Sequence, residues 1–294
     1  MENTAGNTAV EEQAKLQETI DMIRERFPDT KFPEPVLEPL YFGRLNKTSV
    51  DNRKLVLDKN TGVQLDIVSD AYKLVHHESM VRNLIDGCPE EFGKPELSID
   101  ILKQGAVCSV KAKFPEMGDF AVAGQKIDPE IRLVNSYDRS KNLGYNMGAR
   151  VLVCSNGMTA FRSQESGKFK HIERGIDRSQ IQARVKEDLG VFSEQVGVWA
   201  KWAEHAIGTT LNQELLETFD FSETERERII DMGLMTRGGA TMRALGKDLT
   251  VWDIASAATQ FAKHHVTSEL RVITLEHDIS KAVTQFMVKH KIGG

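Results

Sequence analysis

Between residues 97 and 155 strand-like runs follow one another with no helical segment between them. LSIDILKQ and AVCSVKAKF are separated by Gly105, and EIRLVNSY leads through DRSK into NLGYNMGARVLVCS. In the second run Ala106, Cys108, Val110 and Ala112 alternate with Val107, Ser109, Lys111 and Lys113, close to a period of two. Parallel neighbours need a crossover of about a dozen residues or more, and none fits here. The pattern therefore predicts an antiparallel meander, with residues 138–141 as the turn of a hairpin.

The period changes on both sides of this stretch. From about residue 176, Ile181, Val185, Leu189, Phe192, Val196, Trp199, Ala203 and Ile207 recur at intervals of three and four, which predicts one long helical run. Further helices are expected at 222–233, where Ser222 and Glu225 form a capping-box pattern, at 250–265, and at 268–290. The last carries a seam of Val272, Leu275, Ile279, Ala282 and Phe286. Before the meander, residues 1–12 read as frayed, and Leu16, Ile20, Ile23 and Phe27 predict a helix over 13–27. Prolines at 28, 33, 35 and 39 predict an extended connector. KLVLD, VQLDIVSD and AYKLV then read as strands, and 76–87 as a short helix. Strands first and helices later is the α+β signature. The expected units are an N-terminal helix and Pro-rich linker over 1–40, a β-rich core over 41–175, and a helical region over 176–294 that packs on the core or on neighbouring subunits.

Composition narrows the function classes. Hydrophobic content of 40% and charged content of 28% are those of an ordinary globular protein. No apolar run approaches the roughly 20 residues that cross a bilayer. The opening MENTAGNTAVEEQ lacks the basic and apolar regions of a secretory signal. The three cysteines, Cys88, Cys108 and Cys154, are scattered without a CxxC pair, which fits a reducing cytoplasm. There is no GxxxxGK[ST], GxGxxG or GxSxG, so the fingerprints of P-loop, dinucleotide and α/β-hydrolase chemistry are missing. His76-His77-Glu78 with Cys88-Pro89 has the wrong order for a zinc deaminase site, and the pair opens a helix instead. No metal site and no cofactor is expected.

Charge is unevenly spread. The net charge is −5, yet residues 139–186 hold ten Lys or Arg against Glu165, Glu173 and Asp177, a local balance of +7 that leaves −12 elsewhere. Within it Arg139, Lys141, Arg150, Arg162, Lys168 and Lys170 lie among Tyr137, Tyr145, Phe161 and Phe169. Cations that follow a phosphate backbone while rings stack on bases are the chemistry of single-strand binding. The alternative assigns the aromatics to the core and the cations to solvent. Cys154 is a nucleophile only if a base such as His171 reaches it, and otherwise a small core residue.

These same residues carry a family resemblance. NSYDRSKNLGYNMGARVLVCSNGM at 135–158, the Lys170-His171 pair, and WDIASAATQFAKHH at 252–265 resemble the domain-of-unknown-function 932 proteins, also called phage/plasmid-like proteins. Asn135, Ser136, Asp138 and Ser140 match that family's Asn-Ser-x-Asp-Gly-Ser turn. Arg150, Val151, Cys154, Asn156 and Gly157 match its strand end; Lys170 and His171 match its Lys-His pair; Ala258, Thr259 and His264 or His265 match its late helix. The family usually has Gly where Arg139 stands, so either this turn differs or the position tolerates both residues. The resemblance implies a mobile-element origin, most simply a bacteriophage, and hence the cytoplasm of a bacterial host. It implies no reaction. By fold-level analogy a meander followed by a long helix is similar to the core of Rad52-type single-strand annealing proteins.

The leading expectation is a non-enzymatic phage protein that binds single-stranded DNA and anneals it as a homo-oligomer, in recombination or replication. Phosphate contacts would come from Arg139, Lys141, Arg150, Arg162, Lys168 and Lys170, and base stacking from Tyr137, Tyr145 and Phe161. Two alternatives stand beside it. One is a metal- or cysteine-dependent enzyme using Cys154, His171 and Asp138; the other is a structural or host-interaction protein.

Overall fold

Period-two alternation resolves into two antiparallel sheets in the computed structural model, which describes residues 3–43, 47–88, 90–141, 143–151, 156–159, 167–169, 183, 186–236 and 248–292. A three-stranded sheet runs in the order β1 (Pro35–Phe42), β2 (Thr48–Asp58), β3 (Gln64–Ser69). The larger sheet has seven strands among the described residues: β4 (Glu96–Leu102), β5 (Val107–Lys113), β6 (Phe120–Val122), β7 (Gln125–Ser136), β8 (Leu143–Val151), β9 (Asn156–Thr159) and β10 (Gly167–Phe169). Its path is β10-β8-β7-β5-β4, with β6 also on β7 and β9 also on β8. Every pairing among the described residues is antiparallel, as the absence of crossovers dictates.

Helices flank and follow the strands. Those whose bounds lie within the described residues are α1 (Asn3–Arg26), α2 (His77–Gly87), α3 (Phe192–Glu204), α4 (Thr209–Glu217), α5 (Glu223–Thr236), α6 (Val251–His265) and α7 (Glu269–Lys289). The protein is thus α+β, with antiparallel sheets in the N-terminal half and helices in the C-terminal half. Several local expectations change. Residues 3–12, expected to fray, begin α1. The end of the proline-rich connector becomes β1, because Pro35 and Pro39 sit where a missing N–H costs nothing. Asp58 directs its N–H away from β1, to the Val63 carbonyl at 2.9 Å, so its partner Pro35 and the alternate position Pro39 point their nitrogens outward. AYKLV forms no strand. The long helical run breaks at residues 205–208, and α4 follows it.

Register sorts the larger sheet into two unlike faces. Cys108, Val110 and Ala112 of β5 are cross-strand partners of Asn135, Leu133 and Ile131 of β7, on the face covered by Met80, Val81 and Leu84 of α2 and Ile23 of α1. Each of those three α2 side chains is fully buried, and each contributes about 1.5–3 kcal/mol of apolar burial. The opposite face carries Ser109, Lys111 and Lys113 beside Val134, Arg132 and Glu130. There α7 covers Val107 and Val134 with Ile273 and partly buried Leu270. On the apolar side, α3 reaches β6 through Phe192, whose ring meets Phe120 edge-on at 5.0 Å. One buried cluster runs from Ile23 of α1 to Met287 of α7, so strands and helices share a core. Among the described residues no helix is long and apolar enough to cross a membrane.

Candidate functional site at the β7–β8 hairpin

The turn between β7 and β8 is built by its own side chains. Ser136 Oγ accepts from the Lys141 N–H at 3.1 Å and donates to the Lys141 carbonyl at 2.6 Å, closing the loop. Asp138 Oδ1 accepts from the Ser140 N–H at 3.0 Å, an Asx turn, while Lys103 Nζ donates to Oδ2 at 2.8 Å. Burial pushes the Asp138 carboxyl up, but the hydrogen bonds from Lys103 and Ser140 outweigh it and hold its pKa below the usual value. Arg139 takes φ +55°, the left-handed conformation that suits the family's glycine. The backbone at this position is one that glycine adopts without strain, here with an arginine in it. The guanidinium is held by Asp66 of β3, through Nε and through Nη2 at 3.1 Å.

Behind the turn lies a buried polar node. His77 is fully buried, and Asn135 Nδ2 donates to its Nδ1 at 3.0 Å, so Nε2 carries the proton and donates to the Gly105 carbonyl at 3.0 Å. The Tyr137 hydroxyl accepts from the His77 N–H at 3.0 Å, and the two rings stack with centroids 4.0 Å apart. Asn135 Nδ2 also reaches the Val75 carbonyl at 2.8 Å. Next along α2, buried Glu78 pairs with Arg24 of α1 at 2.8 Å. Burial pushes the Glu78 carboxyl up, opposed by hydrogen bonding and by Arg24, and burial pushes His76 down. The node pins β7 to α2 at the hairpin base and fixes where the turn begins.

The sequence-nominated residues fall in different places. Tyr137 is fully buried against His77 and Tyr72, so it is a core residue and not a stacking platform; its hydroxyl is occupied within the fold. Arg139 is exposed but ion-paired with Asp66. Lys141 is half-buried and donates to Thr274 Oγ1 of α7 at 2.7 Å; burial pushes its pKa down, with Asp278 acting against that. Neither is a free cation at a groove. Arg150 lies on β8 between Asp128 of β7 and Gly157 of β9, and Lys168 lies on β10 opposite Gly144. These positions share the face that carries Lys111 and Arg132. Tyr145 is opposite Gly167, on the other face. Asn156 pairs with Val151 at the start of β9. Arg162, Lys170, Phe161, Cys154 and His171 lie outside the described residues.

Most cations on that face already have carboxylate neighbours. Lys111 is 3.5 Å from Asp100, and Lys113 is 2.8 Å from Glu96 and 3.5 Å from Asp128. Arg132 is paired with Glu276 of α7 and stands 3.8 Å from Glu130. Asp66, Lys103, Thr274 and Glu276 were not legible as partners, because each lies more than 30 residues from the group it meets. Cys88 donates to the Leu84 carbonyl at 3.0 Å and burial pushes its pKa up to about 12; burial raises Cys108 as well. Both are held as thiols. Among the described residues no group of three or more His, Cys, Asp or Glu could hold a metal ion.

A family model described as Domain of unknown function (DUF932) matches residues 64–286, which spans the meander, the hairpin and all of the C-terminal helices but the end of α7. No curated protein and no solved structure matches the chain.

Proposed function

The chain belongs to the DUF932 family, and on that premise we propose that it binds single-stranded nucleic acid along the β8–β10 edge of its large sheet. The observation that carries this reading is the folding of the basic segment. Its first strands, β8, β9 and β10, gather at one edge of the sheet, with Arg150 and Lys168 in register on one face. Neither β9 nor β10 contains an acidic residue, whereas the lysines of β5 and the arginine of β7 meet carboxylates of β4, β7 and α7. A phosphate chain laid along this edge would meet Lys168 on a strand without acids, and at Arg150 it would compete with Asp128, the cross-strand partner on β7. Annealing of strands, assembly as a homo-oligomer and a phage origin with action in the host cytoplasm belong to the same proposal. The antiparallel meander followed by helices supports the analogy with Rad52-type cores as architecture only.

Fluorescence anisotropy with a labelled single-stranded oligonucleotide tests the reading. Binding is expected at low salt, with log K falling by about 0.7 per phosphate contacted for each decade of salt. Replacing Arg150 and Lys168 together with Ala should weaken binding and flatten that slope by about 1.4. Absence of binding at low salt, or a double variant that binds like the parent, would overturn it.

A further inference from the structure

Among the described residues the three-stranded sheet has one face buried and one part-exposed. Val56 and Val68 are fully buried with Tyr72 and Tyr137, with Leu37 packed against them. The other face should then alternate to polar side chains, as a solvated antiparallel face does. Instead the register places Val36 opposite Leu57, and Leu55 opposite Ile67, on that outer face. Ile67 is 43% exposed, and Val36, Leu55 and Leu57 are part-exposed. Two charges share the strip. Glu38 is the β1 partner of Leu55, and Arg53 lies two residues before Leu55 on β2. Both are exposed, and among the described residues neither makes an ion pair or side-chain hydrogen bond.

We propose that this outer face is a homodimer interface, packed face to face against the same face of a second copy. Self-complementarity argues for that occupant. A two-fold axis passing between Glu38 and Arg53 sets each Glu38 against Arg53 of the other copy, twice, around an apolar centre supplied equally by both. Contact by the edge of the sheet is disfavoured, because Pro35 and Pro39 blunt the outer side of β1. Strands about 4.8 Å apart and about eight residues long cover roughly 400 Å2, half of what a standard interface takes from each partner. The dimer is therefore weak and concentration-dependent. The inference rests on the sheet face alone and is independent of nucleic-acid binding.

Sedimentation equilibrium of the full chain, without nucleic acid, reads the outcome. The parent should pass from monomer to dimer as concentration rises through the micromolar range. Glu38→Arg and Arg53→Glu should each raise the dissociation constant by at least about tenfold, and the double swap should restore it. Ile67→Asp should also weaken the dimer, with circular dichroism unchanged. A chain that stays monomeric to its solubility limit overturns the proposal, as does a dimer indifferent to both single swaps. If the parent is monomeric and Arg53→Glu abolishes oligonucleotide binding, the face serves nucleic acid and the dimer is likewise overturned.

Discussion

Arg139 shows how one position can satisfy two opposed demands. Its φ of +55° costs an L-residue about 1–2 kcal/mol relative to glycine, and its guanidinium recovers part of that through Asp66. The pair is exposed, so it returns no more than about 1 kcal/mol. Arg139→Gly removes both terms and adds chain entropy to the unfolded state, leaving stability within about 0.5 kcal/mol of the parent. Arg139→Ala keeps the backbone cost and loses the pair, and should be about 1 kcal/mol less stable than the glycine variant. Urea unfolding of the two variants measures the difference. Equal stability would mean that the turn relaxes out of the left-handed region. Tyr137 teaches the complementary lesson. A ring set among cations looks like a base platform, but two residues earlier the strand has already turned its register toward α2, and the ring completes the stack on His77.

At the scale of elements, the helix α6 starts as its sequence requires. Thr250 accepts from the Asp253 N–H at 3.2 Å and Asp253 accepts from the Thr250 N–H at 2.8 Å, a reciprocal box with both residues buried. Thr250→Ala should cost about 1–2 kcal/mol, at the upper end because water cannot replace the lost bond, and urea unfolding should show it. A cost under about 0.3 kcal/mol would mean that the box is not formed. Elements whose signal is local were legible in this way: β4, β5, β7, β8, α2, α6 and α7 all lie close to where periodicity and caps place them. Two elements were not. β1 is hidden because proline is informative only once the outward direction of its nitrogen is known, and that depends on β2 and β3. The α3–α4 break is hidden because apolar spacing continues across it: Ala203 and Ile207 fit one helix, but Ile207 donates its N–H to the Leu249 carbonyl at 2.9 Å instead of to its own turn. The candidate site was legible as a turn and a basic stretch, and the carboxylates that occupy its cations were not, since their pairing is set by tertiary contact.

For the whole molecule, the shared apolar core is crossed by a buried polar pair between its halves. Arg132 of β7 and Glu276 of α7 are 144 residues apart in sequence, and both are buried. Burial pushes the Arg132 guanidinium toward neutrality, and Glu276 and Glu130 outweigh it, so the guanidinium stays charged inside the fold. Such a pair contributes little net stability, because desolvation of two ions offsets their attraction. Its effect is to specify which helix lies on the sheet and in what rotation. Around it Val107, Val134 and Ile273 would accept many apolar helix faces, whereas only one register puts a carboxylate on Arg132. Glu276→Ala leaves a buried arginine with Glu130 at 3.8 Å as its remaining counterion, and should cost about 3–5 kcal/mol. Arg132→Met with Glu276→Leu removes both charges and keeps the volume, and should fall within about 2 kcal/mol of the parent. Chemical unfolding of Arg132→Met, Glu276→Leu and the double variant gives the coupling directly. Because one buried cluster runs from α1 to α7, each curve should show a single transition reported alike by tryptophan fluorescence and circular dichroism. A single variant that costs less than about 1 kcal/mol would mean that α7 does not close on the sheet in solution, and the fluorescence of Trp199 and Trp252, buried 6.2 Å apart in the helical half, should then unfold ahead of the strands.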